Sequence, residues 1–232
     1  MKTVSGLLVV ISVVALALLT GAHPATTSVA AVQNDENVSF RWAFGAMVGK
    51  EKRFVSITRD TVLKSGDDMK MYVELVKDCF VYFINQDSKG KISVVFPTDG
   101  FKQFTADYKV GKPYYMPKGR GWYQLDNSVG RETFYLLGSS ERLLELESLI
   151  GNYLSADESK KQELAQNIIS EIRSVRKRYK SFATLAEKPI TIGGNVRGME
   201  KAEEMKRPDV STIATHITAT NFYGKTFSIE HQ

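Results

Sequence analysis

The residues best suited to holding a ligand lie in one stretch, Tyr114-Tyr115-Met116-Pro117-Lys118-Gly119-Arg120-Gly121-Trp122-Tyr123. Aromatic faces pack on sugar rings and attract cations. Tyr114, Tyr115, Lys118, Arg120, Trp122 and Tyr123 are therefore the candidate ligand-binding set, for a glycan or an extended peptide. The competing reading puts Trp122 and one tyrosine in the core and Lys118 to Gly121 in a loop. A second candidate surface is basic: Arg173, Arg176, Lys177 and Lys180 crowd the end of a helix. Cations there complement the negative helix end, and the same face would meet anionic lipid or an acidic protein.

Catalytic patterns are missing from the sequence. Asp67-Asp68 and Glu203-Glu204 are adjacent carboxylates, whereas acid–base chemistry needs two that face each other across a substrate. His23, His216 and His231 are the only histidines, with no metalloprotease helix and no Gly-x-Ser-x-Gly elbow. Gly193 and Gly198 lack the Lys-Ser/Thr that a phosphate loop needs. Cys79 is the one cysteine, so no internal disulfide forms. Its apolar setting, Cys79 to Ile84, marks it as a core residue; a dyad with His216 or His231 is the alternative, as such partners meet only in space. Asn85 to Gly90 has the alternating oxygens of a calcium loop's start, but Lys89 stands at a ligand position and Phe96 where the closing glutamate belongs. An ordinary turn is expected, and neither metal nor cofactor. No catalytic residue is assigned; an unrecognised hydrolase site would be sought around Asp67, Asp126, Glu132 or His216.

The elements that position these residues are mostly strands. Lys2 followed by the apolar run Leu7 to Leu19, broken only by Ser12, reads as a signal peptide over residues 1–22, with cleavage after Ala22 or as late as Ala30. The run falls short of the roughly 20 residues of a spanning helix, so the mature chain is expected to carry no transmembrane segment. Residues 23–37 are small and polar and read as a tether. About 195 residues remain, the size of one well-buried domain, expected over 38–232.

Period-two patterns in Phe40 to Phe44, Arg53 to Thr58 and Met69 to Val76 are those of half-buried strands. Phe80 to Ile84 is apolar on both faces and should be a central strand; the Asn85–Gly90 loop joins it in a hairpin to Lys91 to Phe96. Tyr114 to Met116, Trp122 to Leu125 and Glu132 to Leu137 add short strands. The period then changes. Leu143, Leu144, Leu146, Leu149, Ile150, Tyr153 and Leu154 fit one helix. Ser155 and Glu158 have capping-box spacing for a second, striped with Leu164, Ile168, Ile172, Val175, Tyr179 and Phe182. Met199 to Lys206 reads as a short charged helix, then Ser211 to Ala219 and Lys225 to His231 as strands. The fold class is mainly β (α+β): an antiparallel β-sandwich-like core with an α-helical hairpin, about residues 140–182, inserted before the C-terminal strands.

From Leu63 to Ile150 the chain resembles the bacterial domain of unknown function catalogued as family 4384. The residues that carry the likeness are Leu63-Lys64-Ser65-Gly66-Asp67, Phe80 to Phe83 with Asp87-Ser88-Lys89-Gly90, and Val94-Val95-Phe96-Pro97. Gly111, Pro117, Trp122 to Asp126, Gly130, Glu132 and Tyr135 to Ser139 complete the set. The resemblance implies an exported or surface-associated β domain, often beside peptidase-like or kinase-like modules, and brings no catalytic residues.

The formal charge of +5 is mild and favours solubility. The expectation is an exported, periplasmic or secreted, non-catalytic binding or accessory domain recognising a protein or a cell-envelope glycan, with no nucleic acid partner. A hydrolase, or a structural partner in an envelope assembly, is the alternative.

Overall fold

A computed structural model describes residues 37–179, 186–189 and 207–232; the leader, residues 23–36 of the tether, Lys180, Phe182 and the Met199–Lys206 helix expected above lie outside them. The described strands are β1 (Val38–Val48), β2 (Arg53–Ser56), β3 (Thr61–Leu63), β4 (Asp68–Leu75), β5 (Phe80–Gln86) and β6 (Ile92–Phe96). A short helical turn, α1 (Gln103–Ala106), precedes β7 (Pro113–Met116), β8 (Tyr123–Gln124) and β9 (Gly130–Ser139). Helices α2 (Leu144–Ser155) and α3 (Glu158–Tyr179) follow, then β10 (Ala186–Pro189), β11 (Thr215–Ala219) and β12 (Phe222–His231).

Two sheets result. The first runs β10-β11-β1-β4-β7, with β2 beside β1 and β8 beside β4; the second runs β3-β12-β9-β5-β6. Alternation decides how they meet. Phe40, Trp42, Phe44 and Ala46 of β1 and Met69, Met71, Val73 and Leu75 of β4 bury against Val81, Phe83, Phe134, Leu136, Phe227 and Ile229 of the second sheet. Aromatic rings lock this layer, with Phe44 edge-on to Phe134 at 5.2 Å and Phe134 stacked on Phe227 at 5.6 Å.

The second sheet is covered twice, as the two-sided apolarity of β5 requires. Its far face, with Tyr82, Ile84, Tyr135 and Leu137, packs on Leu146, Ile150 and Tyr153 of α2 and Ile168, Ile169, Ile172 and Val175 of α3. Buried hydroxyls pin the helices. Tyr82 donates to Glu147 Oε1 at 2.7 Å and accepts from the Leu143 amide at 2.9 Å, and the Tyr153 hydroxyl accepts from the Ile92 amide at 3.0 Å. Between β5 and β6, Gly90 adopts φ +83°, the conformation its place in the turn asks of it.

The mainly β fold, the two packed sheets and the helical hairpin before the last strands are as expected, and local details differ. β3 was not foreseen, and it runs parallel to β12, which makes the second sheet mixed. Ser155 does not cap α3: it ends α2, its hydroxyl donating back to the Gly151 carbonyl at 3.0 Å. The apolar face of α2 is narrower than expected, with Leu144 64% and Leu154 63% exposed. Val210–Ile213 is a 3-10 turn rather than strand, because the Asp209 side chain accepts from the Ser211 amide and tightens it. No helix among the described residues is long and apolar enough to cross a membrane.

Candidate functional site

The outward face of the first sheet is polar in sequence yet closed to solvent. Inward methionines and valines on β4 leave Asp68, Lys70, Tyr72 and Glu74 on the other side. A half-exposed sheet would solvate them. Here Asp68, Lys70 and Tyr72 are only 3–5% exposed, because the 117–121 loop and the segment carrying Asp209 lie over them. Gly45 of β1 permits this cover: a side chain there would strike Phe54 and Val210.

Lys70 is the centre of the arrangement. Its ammonium donates to the carbonyls of Pro117 (3.3 Å), Gly119 (2.7 Å) and Gly121 (2.6 Å) and stands 5.5 Å above the Tyr115 ring. Burial pushes its pKa down, Asp209 opposes that, and Arg207 adds to it. Asp68 accepts from Lys52 Nζ at 3.0 Å and from Arg207 Nη2 at 3.1 Å. Arg207 in turn lies 5.7 Å from the Trp122 ring, which meets Phe54 edge-to-face at 6.2 Å. Tyr115 packs on Tyr72 at 5.2 Å and donates to Asp209 at 3.1 Å. The Tyr72 hydroxyl donates to Glu74, which also accepts from Arg41 at 3.2 Å. Burial raises the pKa of both tyrosines, so they remain neutral donors. One loop is thus tied down at three backbone atoms by a single buried cation.

The expected ligand stretch divides across this framework. Tyr114 points between the sheets, 7% exposed, its hydroxyl donating to the Asp107 carbonyl at 3.0 Å. Tyr115 belongs to the outer cluster. Trp122 is half-buried on the outer face, outside the main core that the competing reading assigned to it. Lys118 pairs at the surface with Asp99 at 2.8 Å. Arg120 is exposed and Tyr123 is 44% exposed on β8. Lys118, Arg120 and Trp122 follow one another along the loop, whereas Tyr123, opposite Met69, faces the other side of the sheet from Trp122, and Tyr114 is a core residue. Sequence reasoning missed Lys70, Asp68, Lys52, Arg207 and Asp209. The available signal was the charged alternate face of β4, which reads equally well as a solvated surface.

The basic helix end places Arg173, Arg176 and Lys177 at the surface. Arg176 is partly tied down, donating to Thr226 at 2.8 Å.

Of the four residues named for a hydrolase, Asp67 is a brace: its carboxylate accepts from the Gly49 amide at 2.8 Å and the Lys64 amide at 2.9 Å. Asp126 is exposed and accepts from the Ser128 amide at 2.7 Å. Glu132 accepts from Asn85 at 3.1 Å, and its pKa is raised by burial, with Asp126 in the same field and His231 opposing. His216 sits elsewhere, 2.9 Å from the Ser39 hydroxyl. The histidine near Glu132 is His231, 2% exposed, with Nε2 3.1 Å from the exposed Ser65 hydroxyl and Nδ1 buried without a hydrogen-bond partner. Every amide of the Ser65 turn is engaged: Lys64 on Asp67, Ser65 on Gln232, Gly66 on Leu125 and Asp67 on Lys64.

Cys79 is 2% exposed, its thiol 3.6 Å from the Ser39 carbonyl and pushed up to about 11 by burial. It is a core residue. In the hairpin turn Asp87 Oδ1 accepts from the Lys89 and Lys91 amides at 2.9 and 2.8 Å, an Asx-type turn rather than a calcium ligand arrangement. Among the described residues no group of three or more His, Cys, Asp or Glu is placed to hold a metal ion.

No curated protein and no solved structure matches the chain. Residues 62–142, from β3 to the foot of the helical hairpin, match the family model described as Domain of unknown function (DUF4384).

Proposed function

We propose that the chain is an exported, non-catalytic binding domain of the cell envelope and that the loop surface carrying Lys118, Arg120 and Trp122 is its ligand surface. What supports this most is the anchoring of the 117–121 loop by Lys70. A glycine-bearing loop left free would lose conformational entropy when it binds; one already fixed at three carbonyls does not. The anchored loop presents the Trp122 ring and the cations Lys118 and Arg120, which suits a glycan or an extended peptide. A Trp42→Phe variant leaves Trp122 as the only tryptophan. Its emission is then titrated with peptidoglycan fragments and with proline-rich and acidic peptides. Saturable change that Arg120→Ala weakens by about tenfold is expected; a flat response to every probe removes this reading.

A second reading, an extracytoplasmic hydrolase, draws on one observation, the exposed Ser65 hydroxyl on buried His231 with Glu132 in the same field. With the turn amides occupied, an oxyanion would lack the donors that acyl transfer needs. Reaction with a fluorophosphonate that is lost in Ser65→Ala would favour the hydrolase; an unmodified protein favours the binding domain.

A further inference from the structure

A second concavity, unconnected with the Lys70 loop, lies between the β5–β6 turn and helix α3. It encloses about 540 Å³, inside the range of ~300–1,000 Å³ usual for small-ligand sites. Tyr153 and Ala165 form its floor, Lys89 and Lys91 one wall, and Lys161, Gln162 and Gln166 the other. The first wall comes from the segment that matches the family model and the second from a helix outside it. This concavity is therefore a feature that the helical hairpin adds to the domain.

Both walls are held in place. Asp87 Oδ1 clamps the turn through the amides of Lys89 and Lys91, and the Gly90 amide donates to the Asp87 carbonyl at 3.0 Å. Opposite, Gln162 and Gln166 stand one helical turn apart and so share a face. Tyr153 is fixed by the Ile92 amide, and Lys161 Nζ lies 5.9 Å from its ring.

The chemistry of the lining selects a ligand class. Three ammonium groups face two carboxylates, and both carboxylates are committed: Asp87 to the turn amides and Glu158 to Lys161 at 2.6 Å. Among the described residues, the Lys89 and Lys91 ammonium groups make no hydrogen bond or close ion pair, Lys91 feeling Glu158 only at longer range, so the groove carries one positive charge in excess. Side-chain amides donate and accept together, as hydroxyl groups do. The amides of Lys89, Gly90 and Lys91 are spent within the turn, so recognition there falls to side chains. We infer that the groove binds a hydroxyl-rich chain bearing fixed negative charge, an acidic glycan, with Lys89 and Lys91 on the anion and Gln162 and Gln166 on the hydroxyls.

The whole protein is titrated by calorimetry against a galacturonate oligomer, a glycerol-phosphate oligomer, a neutral cello-oligomer and a poly-glutamate peptide. Binding of one or both acidic hydroxylated oligomers is expected, weakened at least about tenfold by Lys89→Ala/Lys91→Ala and several-fold by Gln162→Ala/Gln166→Ala. The first two arms distinguish a carboxylate from a phosphate source. All four positions lie at the rim, so unchanged thermal melting checks that the variants fold. Dependence on Lys89 and Lys91, which lie outside the 117–121 loop, separates this binding from the loop surface. The inference is overturned by equal binding of the neutral oligomer, by preference for poly-glutamate, by indifference to the lysine substitutions, or by no heat from either acidic glycan.

Discussion

Replacing Lys70 by methionine keeps the length of the stem and deletes the charged head. The head makes three hydrogen bonds to loop carbonyls and one cation–π contact. Hydrogen bonds from a charged donor contribute about 1.5–3 kcal/mol each, and a partly buried cation–π contact about 1 kcal/mol. These do not simply add, because the ammonium forfeits hydration on burial. Gly119 and Gly121 are exposed, so their carbonyls regain water once the lysine is gone. A net loss of about 2 kcal/mol is expected, at the upper end of ordinary substitutions. With a urea slope of about 2 kcal/mol per molar for a domain of this size, the unfolding midpoint falls by about 1 M. Amide exchange should accelerate over residues 118–122 while the β5–β9 amides keep the protection of the rest of the fold. A midpoint within about 0.2 M of the parent, together with unchanged exchange in the loop, would refute the idea that Lys70 anchors it.

Tyr82→Phe leaves the Leu143 amide without its acceptor and Glu147 with Arg142 as its remaining donor, so a loss of about 1–3 kcal/mol is expected in denaturant melts; a neutral outcome would mean that water replaces the hydroxyl. Glu132 has its pKa raised by burial above the ordinary 4.5. The folded state therefore favours its neutral form, and the stability this gives is present below the ordinary value and lost as pH rises through the folded one. Glu132→Gln should hold its melting temperature across that window while the parent declines, giving a gap that widens with pH; parallel curves would contradict the assignment. Reversing Arg173 and Lys177 to glutamate should abolish any low-salt binding to anionic vesicles without changing the melting temperature, since both are exposed. If the parent does not bind such vesicles at low salt, the helix end is only a solvated face.

The architecture could be read from the chain wherever burial was one-sided or complete. Met69, Met71, Val73 and Leu75 could only share a face, and Phe80 to Ile84, apolar on both sides, needed two covers; the first sheet and the helical hairpin supply them. What escaped was decided by a single contact. Thr61–Leu63 is too short to show a period, and it becomes a strand only by lying parallel to the end of β12. Leu144 and Leu154 have the right type and nearly the right spacing, but α2 meets the sheet along a stripe too narrow to cover them. Ser155 had two uses open to it, and its hydroxyl took the carbonyls of the helix it ends.

The loop site was legible in half. Aromatic and cationic residues between glycines pointed to 114–123, and the anchored loop with Lys118, Arg120 and Trp122 lies there. The partner that makes it a site is Lys70, and nothing in its neighbourhood along the chain announces that. Its ligands are main-chain carbonyls, which every residue possesses and no pattern of side chains encodes. A charged residue on the outward face of a strand is by default a solvated one, and Lys70 departs from that default only because residues 47 to 51 positions later fold back over it. The same reasoning explains Asp68, whose cations come from 16 and 139 residues away. In both cases the polar side of an alternating strand is closed off by residues distant along the chain, backbone for Lys70 and side chains for Asp68. An outward face carrying both charge signs, beside a glycine-broken aromatic segment, is thus a sequence feature to test for a buried ionic seat.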